Sequence, residues 1–299
     1  MTRQLFGSRI APSREARTLI ESLPYFLSAD HSWTQEHLIL PLLNDDGASL
    51  ALWRAIARQT QFRNVLEIIG NAMAEKATDR RLGRQTRQSL VFSVVVESLY
   101  ALREKRDPAI PYQRVQQMLR TLDDEVRASA AKAIQQFIVE LSASAPTSAP
   151  PEGAEGDVAE PAAALFRSAA APFLRDVWPQ ERSLATPGVS GALADLPAAS
   201  GNAFVEAVDA VARFLVPFEC WSMIDFGLYG EDGDEQKLAM INDEAKARAF
   251  LRLLNLTVGA SEGAVVPYDL PNALDQISAT SPSLTDSPEY RRLAAAARR

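Results

Sequence analysis

One stretch decides the fold: Met118-Leu119-Arg120-Thr121-Leu122-Asp123-Asp124-Glu125-Val126-Arg127-Ala128-Ser129-Ala130-Ala131-Lys132-Ala133-Ile134. Just ahead of it, Pro111 stands where a first-turn proline is tolerated. Val115, Met118, Leu119 and Leu122 then recur at three and four residues, the apolar stripe of an amphipathic helix. Asp123-Asp124 makes a tight turn, and a short side-chain oxygen there can cap a second helix. That helix collects Val126, Ala130, Ala133, Ile134, Phe137, Ile138 and Leu141 on one side. Small Ala130 and Ala133 let the paired helix approach closely, and Phe137 fills the wider end.

The same periodicity extends toward the N-terminus. Asn44-Asp45-Asp46-Gly47 reads as a turn that opens a helix bearing Leu52, Trp53 and Ile56. Phe62, Val65, Leu66, Ile69, Ala72 and Met73 form the next stripe. Asp79 is placed to cap a long helix running to about Arg103, with Leu90, Val91, Val94, Val95, Leu99 and Leu102 buried. Its centre, Leu90 to Val96, is apolar nearly all round. By β propensity it would also suit a short buried strand. Glu97-Ser98-Leu99-Tyr100-Ala101-Leu102 continues the pattern without a turn signal, which favours a helix enclosed by neighbours.

The quoted stretch resembles a HEAT-type helical repeat. In that family an Asp in the turn, a Val-Arg pair opening the second helix and alanines on its packing face recur; Asp123 or Asp124, Val126, Arg127 and Ala130 match. The earlier segments Leu42–Thr60 and Phe62–Leu102 share the helix spacing but not the motif. Because a solenoid needs about three units for stability, they are expected to be irregular repeats or a plain helical bundle.

Composition changes at Ser142. Residues 142–161 hold four prolines and, in Val158, one sizeable apolar side chain, too little to offset an ordering cost of roughly 1–2 kcal/mol per residue. A flexible Pro/Ala/Ser linker is expected there, between a helical domain at 1–141 and an α-rich domain at 162–299. Charge divides in the same region: residues 1–140 carry 19 basic and 16 acidic groups, and the remainder carry 12 and 22. Neither half has the basic excess of a dedicated nucleic-acid binder.

In the C-terminal half, Leu165-Phe166, Phe173-Leu174 and Trp178 keep helical spacing up to Pro179. Phe204, Val208, Val211, Ala212 and Leu215 form another stripe, stopped by Pro217. Aromatic-rich runs on either side of Asp232-Gly233 predict a small β-hairpin near 221–241. Asn242 or Asp243 caps a helix bearing Ala249, Phe250, Leu253, Leu254 and Leu256 and ending at Gly259. Val265-Val266 suits a short strand, and a last helix is expected from Pro288 to Arg299. The fold class is therefore mainly α: irregular HEAT-like repeats or a bundle, then an α-rich domain with a hairpin.

The reactive inventory is thin. His31 and His37 are the two histidines and Cys220 the one cysteine, which excludes a disulfide within the chain and suits a cytoplasmic setting. Cys220, between Glu219 and Trp221, reads as a small buried hydrophobe. Zinc-ligand spacings, Gly-x-x-x-x-Gly-Lys-Ser/Thr and Gly-x-Gly-x-x-Gly are absent. Gly188-Val189-Ser190-Gly191 is one glycine short of a nucleophile elbow. Asp225-Phe226-Gly227 stands without the other kinase motifs, and Glu231, Asp232, Asp234 and Glu235 read as a solvated turn rather than a calcium loop. No catalytic residue, cofactor or metal ligand is expected. A carboxylate hydrolase built on Asp225 and Glu231 would need the two groups across a cleft. No apolar run reaches the ~18 residues of a membrane span, and the first residues lack the apolar core of a secretory signal.

Two groups remain as binding candidates. Arg80, Arg81, Arg84 and Arg87 form the basic constellation. On one helix 80, 84 and 87 would share a face, either a solvated face paired with acids such as Glu75 and Asp79 or a contact for nucleic acid or another anion. Trp178, Trp221 and Tyr229, with Phe218 and Phe226, are either core or, where exposed, a partner-docking patch.

The segments from Val177-Trp178-Pro179-Gln180 to Thr186-Pro187 and Phe218-Glu219-Cys220-Trp221-Ser222-Met223 resemble the C-terminal region of large bacterial anti-phage defence proteins, some of which carry a sirtuin-like domain. The resemblance implies a helical sensor or scaffold module, as a fragment or a separately encoded subunit, with catalysis elsewhere. The nucleotide-binding glycines and catalytic histidine of sirtuins are not found here, so that activity does not carry over. The expected function is non-catalytic protein binding, with nucleic-acid binding through Arg80, Arg84 and Arg87 as the alternative.

Overall fold

The computed structural model describes residues 14–144, 161–219, 221–223, 226, 240–261 and 264–298. The described residues are mostly helical and contain no strand. No helix among them is long and apolar enough to cross a membrane. The chain divides into two compact units, Met1–Ala130 and Ala131–Arg299.

Unit 1 opens with short helices, α1 (Arg14–Glu21), α2 (Leu23–Ala29) and α3 (His31–Thr34), then a π turn at Gln35–Ile39 and α4 (Leu40–Leu42). The Asp30 carboxylate accepts the Trp33 N–H at 2.9 Å, which caps α3. The π turn has a local cause. Leu40 N–H bonds to Gln35 O, five residues back, and Leu40 directly precedes Pro41. A proline in a helix lacks a donor and crowds the carbonyl four residues before it. Widening the preceding turn by one residue relieves that contact.

Asp46 caps α5 (Gly47–Ile56) by accepting the Ser49 N–H at 2.8 Å, as the Asn44–Gly47 turn predicts. Leu52, Trp53 and Ile56 are buried, and α5 packs on α1 and α4. Helix α6 (Arg63–Lys76) begins one residue after Phe62. Phe62 therefore occupies the non-helical cap position and is 58% exposed rather than joining the stripe. α6 packs on α2 and on α7 (Arg84–Glu104). Gly70 is required in α6: a Cβ there would lie 2.5 Å from Ile110 Cγ1. Gly70→Ala is expected to overpack this contact and cost ~1–3 kcal/mol, read as a lower urea midpoint with an unchanged m-value.

The long helix starts later than the sequence suggests. Asp79 does cap, accepting the Arg81 N–H, but it caps a single 3-10 turn at Arg80–Leu82. Gly83 follows at φ +77°, a conformation that favours glycine, and α7 begins at Arg84. Its Leu90–Val96 centre is enclosed: Leu90, Val91, Val94, Val95 and Val96 are buried, so the helical reading holds over the strand. Glu97 is also buried. Arg106 grips it with Nη1 at 2.6 Å from Oε1 and Nη2 at 3.0 Å from Oε2.

The decisive stretch folds as α8 (Tyr112–Thr121) and α9 (Asp124–Ala143), with Pro111 at the α8 cap. Asp123 Oδ1 accepts the Val126 N–H at 3.2 Å and caps α9. Arg127 reaches back from α9 to the end of α8, donating from Nε to Leu119 O at 2.9 Å and from Nη2 to Leu122 O. The carbonyls left open where α8 stops are thus satisfied by a buried cation. Burial pushes the Arg127 guanidinium below its usual range. Ala130, Ala133, Ile134, Phe137 and Ile138 are buried, and the unit boundary falls inside α9. α9 runs through Ser142 and Ala143, so the start assigned to the linker is helical; residues 145–160 lie outside the described residues.

Unit 2 continues with α10 (Pro161–Leu165) and two π turns, Phe166–Ala170 and Phe173–Val177. Each closes with the same five-residue bond, but the helix continues past Ala171 and ends at Trp178, whose backbone is extended. Ala171 N–H bonds to Phe166 O just before Pro172, and Trp178 N–H bonds to Phe173 O just before Pro179. Helices α11 (Pro187–Ala194), α12 (Leu196–Ala199) and α13 (Phe204–Val211) follow. Asp243 caps α14 (Glu244–Thr257), which packs on α11, α13, α15 (Leu270–Thr280) and α16 (Pro288–Ala296). Arg292 of α16 donates to Asn255 O and Val258 O and so closes the end of α14. Residues 224, 225 and 227–239 of the expected hairpin lie outside the described residues. Val265-Val266 is irregular, not a strand; Pro267 follows it directly and cannot donate to a ladder.

Candidate functional site

The basic constellation is not one helical face. Gly83 breaks the chain between Arg80 and Arg84, so only Arg84 and Arg87 share a helix. Their charges are answered locally. Arg84 Nη1 lies 2.6 Å from Glu125 Oε2, and Arg87, itself buried, pairs with Asp123. Burial alone would raise the Asp123 carboxyl. Hydrogen bonds from Arg87 and the Val126 N–H, with the Arg87 and Arg80 charges, hold it below the ordinary carboxylate range. Arg80 is exposed.

Arg81 belongs to a different group. Asp45, Lys76, Asp79 and Arg81 alternate in sign around a cleft of about 460 Å³ that is also lined by Leu43, Trp53 and Glu75. Lys76 Nζ is 2.9 Å from Asp45 and 3.8 Å from Asp79, and Arg81 Nη2 is 2.7 Å from Asp79. Hydrogen bonds from Lys76 and then Arg81 hold the Asp45 carboxyl low, and the Arg81 bond does the same for Asp79 against its partial burial. The quartet ties the turn before α5 to the end of α6. Glu75 does not pair with the constellation; it meets Arg114.

Of the two readings open for Trp178 and Trp221, core or exposed docking patch, the structure gives core. Trp178 is 1% exposed and packs between Phe173 and Phe214. Trp221 is buried against Phe218 and Phe226, with its Nε1–H donated to Asp195 at 2.8 Å. Phe226 and Phe250 stack beside Phe204, so this aromatic set is core. The local reason is direct: each tryptophan ring fills space between helices, and Trp221 has its polar edge satisfied inside. Tyr229, Cys220, Asp225 and Glu231 lie outside the described residues. Among the described residues no group of three or more His, Cys, Asp or Glu side chains is placed to hold a metal ion.

Tyr268 and Phe62 are exposed singly, whereas a contiguous row of surface aromatics lies on α2, α3 and the π turn, where the sequence suggested no docking residue. Tyr25 is 68% exposed and meets Phe26 edge-on, with ring centroids 5.3 Å apart. Phe26 contacts Trp33 at 5.7 Å, and His37 stacks on Trp33 at 4.9 Å with planes 8° apart. Phe26, Trp33 and His37 are half-buried. His37 Nδ1 is 3.0 Å from Trp33 O, which fixes the imidazole against the helix as it stacks. Leu40, on the following turn, is 53% exposed. The available signal was Tyr25-Phe26 beside Trp33-x-x-x-His37. It was hidden because the turn at Asp30 separates the two pairs in sequence.

Comparison with protein-family models, with curated proteins and with solved structures finds no match to this chain.

Proposed function

We propose that the chain is a non-catalytic protein-recognition module whose contact surface is the aromatic row Tyr25, Phe26, Trp33 and His37. The observation that carries this reading is the continuity of the row: four rings in successive contact, left at the surface of unit 1. Aromatic side chains present large contact area with few rotatable bonds, and they dominate interface energetics. The capped pair α8–α9 supports reading that segment as a HEAT-like repeat. The sequence resemblance to anti-phage defence proteins supports a bacterial defence setting, and the lone cysteine supports the cytoplasm. Nucleic-acid recognition through Arg80, Arg84 and Arg87 has less support, because Glu125 and Asp123 neutralise two of the three.

Trp33→Ala tests the proposal. Truncating a central aromatic anchor costs at least ~2 kcal/mol of binding, roughly thirtyfold in affinity. A partner crosslinked by the wild-type chain in cells is expected to disappear with Trp33→Ala while thermal unfolding of the chain is preserved. The same partners captured in the same amounts would overturn the reading.

A further inference from the structure

We propose that the Tyr25–His37 surface receives a Lys- or Arg-bearing segment of a partner protein; this rests on the protein-recognition reading above and adds the charge of the partner.

Electrostatics around the row carries the argument. Between Arg17 and Arg54 the sequence has no Lys or Arg, while it has Glu21, Asp30, Glu36, Asp45 and Asp46. Three of the five acids are engaged within unit 1. Glu21 pairs with Arg58, Asp45 with Lys76 and Arg81, and Asp46 caps α5. The other two flank the aromatic row. Asp30, directly before α3, uses one carboxylate oxygen to cap Trp33 and is exposed. Glu36, in the π turn beside His37, is exposed and forms no ion pair among the described residues.

The row thus joins ring faces and edges to two unneutralised carboxylates, and the elements that carry it contribute no lysine or arginine. A cation over an aromatic face is attracted by the ring quadrupole, and a carboxylate at the rim selects the sign of the incoming charge. The aliphatic stems of Lys and Arg also pack on aromatic surface while their heads stay in water. An acidic segment would meet repulsion from Asp30 and Glu36, and a neutral one would leave both carboxylates without a counter-charge.

The tryptophans supply the readout. Trp53, Trp178 and Trp221 are buried, and Trp33 is the half-buried one. Acrylamide quenching of tryptophan emission therefore reports mainly on this surface. The full-length chain is titrated with three amphipathic peptides of one helical pattern, Leu/Lys, Leu/Glu and Leu/Gln. The Leu/Lys peptide is expected to protect Trp33, to bind at least about tenfold more tightly than Leu/Glu, and to weaken as salt rises. Trp33→Phe should abolish the protection signal. Glu36→Lys should weaken Leu/Lys binding by about threefold to tenfold with the unfolding midpoint unchanged.

Equal binding of all three peptides would overturn the charge assignment and leave protein recognition standing. Protection by none of them would also overturn it; protein recognition itself falls only if Trp33→Ala leaves the cellular partners unchanged. Residues 1–14 carry Arg3, Arg9 and Arg14 and no acid. Protection of Trp33 without peptide that is lost on Arg3→Glu with Arg9→Glu would reassign the surface to this chain's own segment and overturn the partner proposal.

Discussion

Arg106→Met is expected to destabilise unit 1 by about 3–5 kcal/mol, the cost of leaving a buried charge without its partner. Glu97 sits at 4% side-chain exposure in the apolar centre of α7, and Arg106 supplies both of its close charged contacts, at 2.6 and 3.0 Å. The Ala109 N–H adds only a long bond at 3.4 Å. Arg106 itself is 17% exposed and also meets Glu104, so it can turn toward water when Glu97 is removed. The two single variants should therefore differ. Arg106→Met strands a carboxylate, whereas Glu97→Leu leaves a cation that still has a partner and solvent. The double variant Glu97→Leu/Arg106→Met should recover most of the loss, because a buried ion pair replaced by apolar residues of similar volume is often neutral or stabilising. Urea denaturation of the four proteins gives the cycle directly. A double variant no more stable than Arg106→Met would show that the loss does not come from the stranded Glu97 carboxylate.

Arg127→Ala is expected to cost about 3 kcal/mol, combining the loss of charge-assisted bonds with two carbonyls left unsatisfied. The guanidinium joins the start of α9 to Leu119 O and Leu122 O at the end of α8, and it does so while buried. Arg127→Lys should recover only part of the loss, since one ammonium cannot reproduce a planar fork aimed at two oxygens. Hydrogen exchange gives the local readout. Amides near the end of α8 should lose protection in Arg127→Ala while those of α14, in the other unit, keep theirs. Uniform loss in both units, or no change near Leu119, would contradict the assigned role.

Much of unit 1 was legible because its signals are local. Asp46 and Asp123 cap the helices predicted for them, and the period of Val115 to Ile138 needs nothing beyond neighbouring turns. Asp79 misled for a physical reason. Its cap is real, but Gly83 at positive φ ends the 3-10 turn after Leu82, and a glycine in sequence does not announce the sign of its φ. That break also separates Arg80 from Arg84, so the arginine face depended on a helix start four residues too early. Trp178 and Trp221 were ambiguous because an aromatic run reads alike in core and interface. Only the surrounding rings and the Asp195 acceptor decide it. The row on α2 and α3 was hidden by the prolines and short helices of residues 23–42, which dilute the periodic signal.

Those prolines bear on how this chain can change length. At Leu40 and Ala171 the widened turn holds one residue more than an α-helical path requires, and it does so because an imino ring comes next. The ring and the surplus residue form a linked pair. A single-residue deletion would be absorbed at these joints only if the proline were replaced in the same step, and an insertion elsewhere in the helices would rotate every later side chain off its face. Insertions and deletions in this architecture should therefore travel with proline gain and loss.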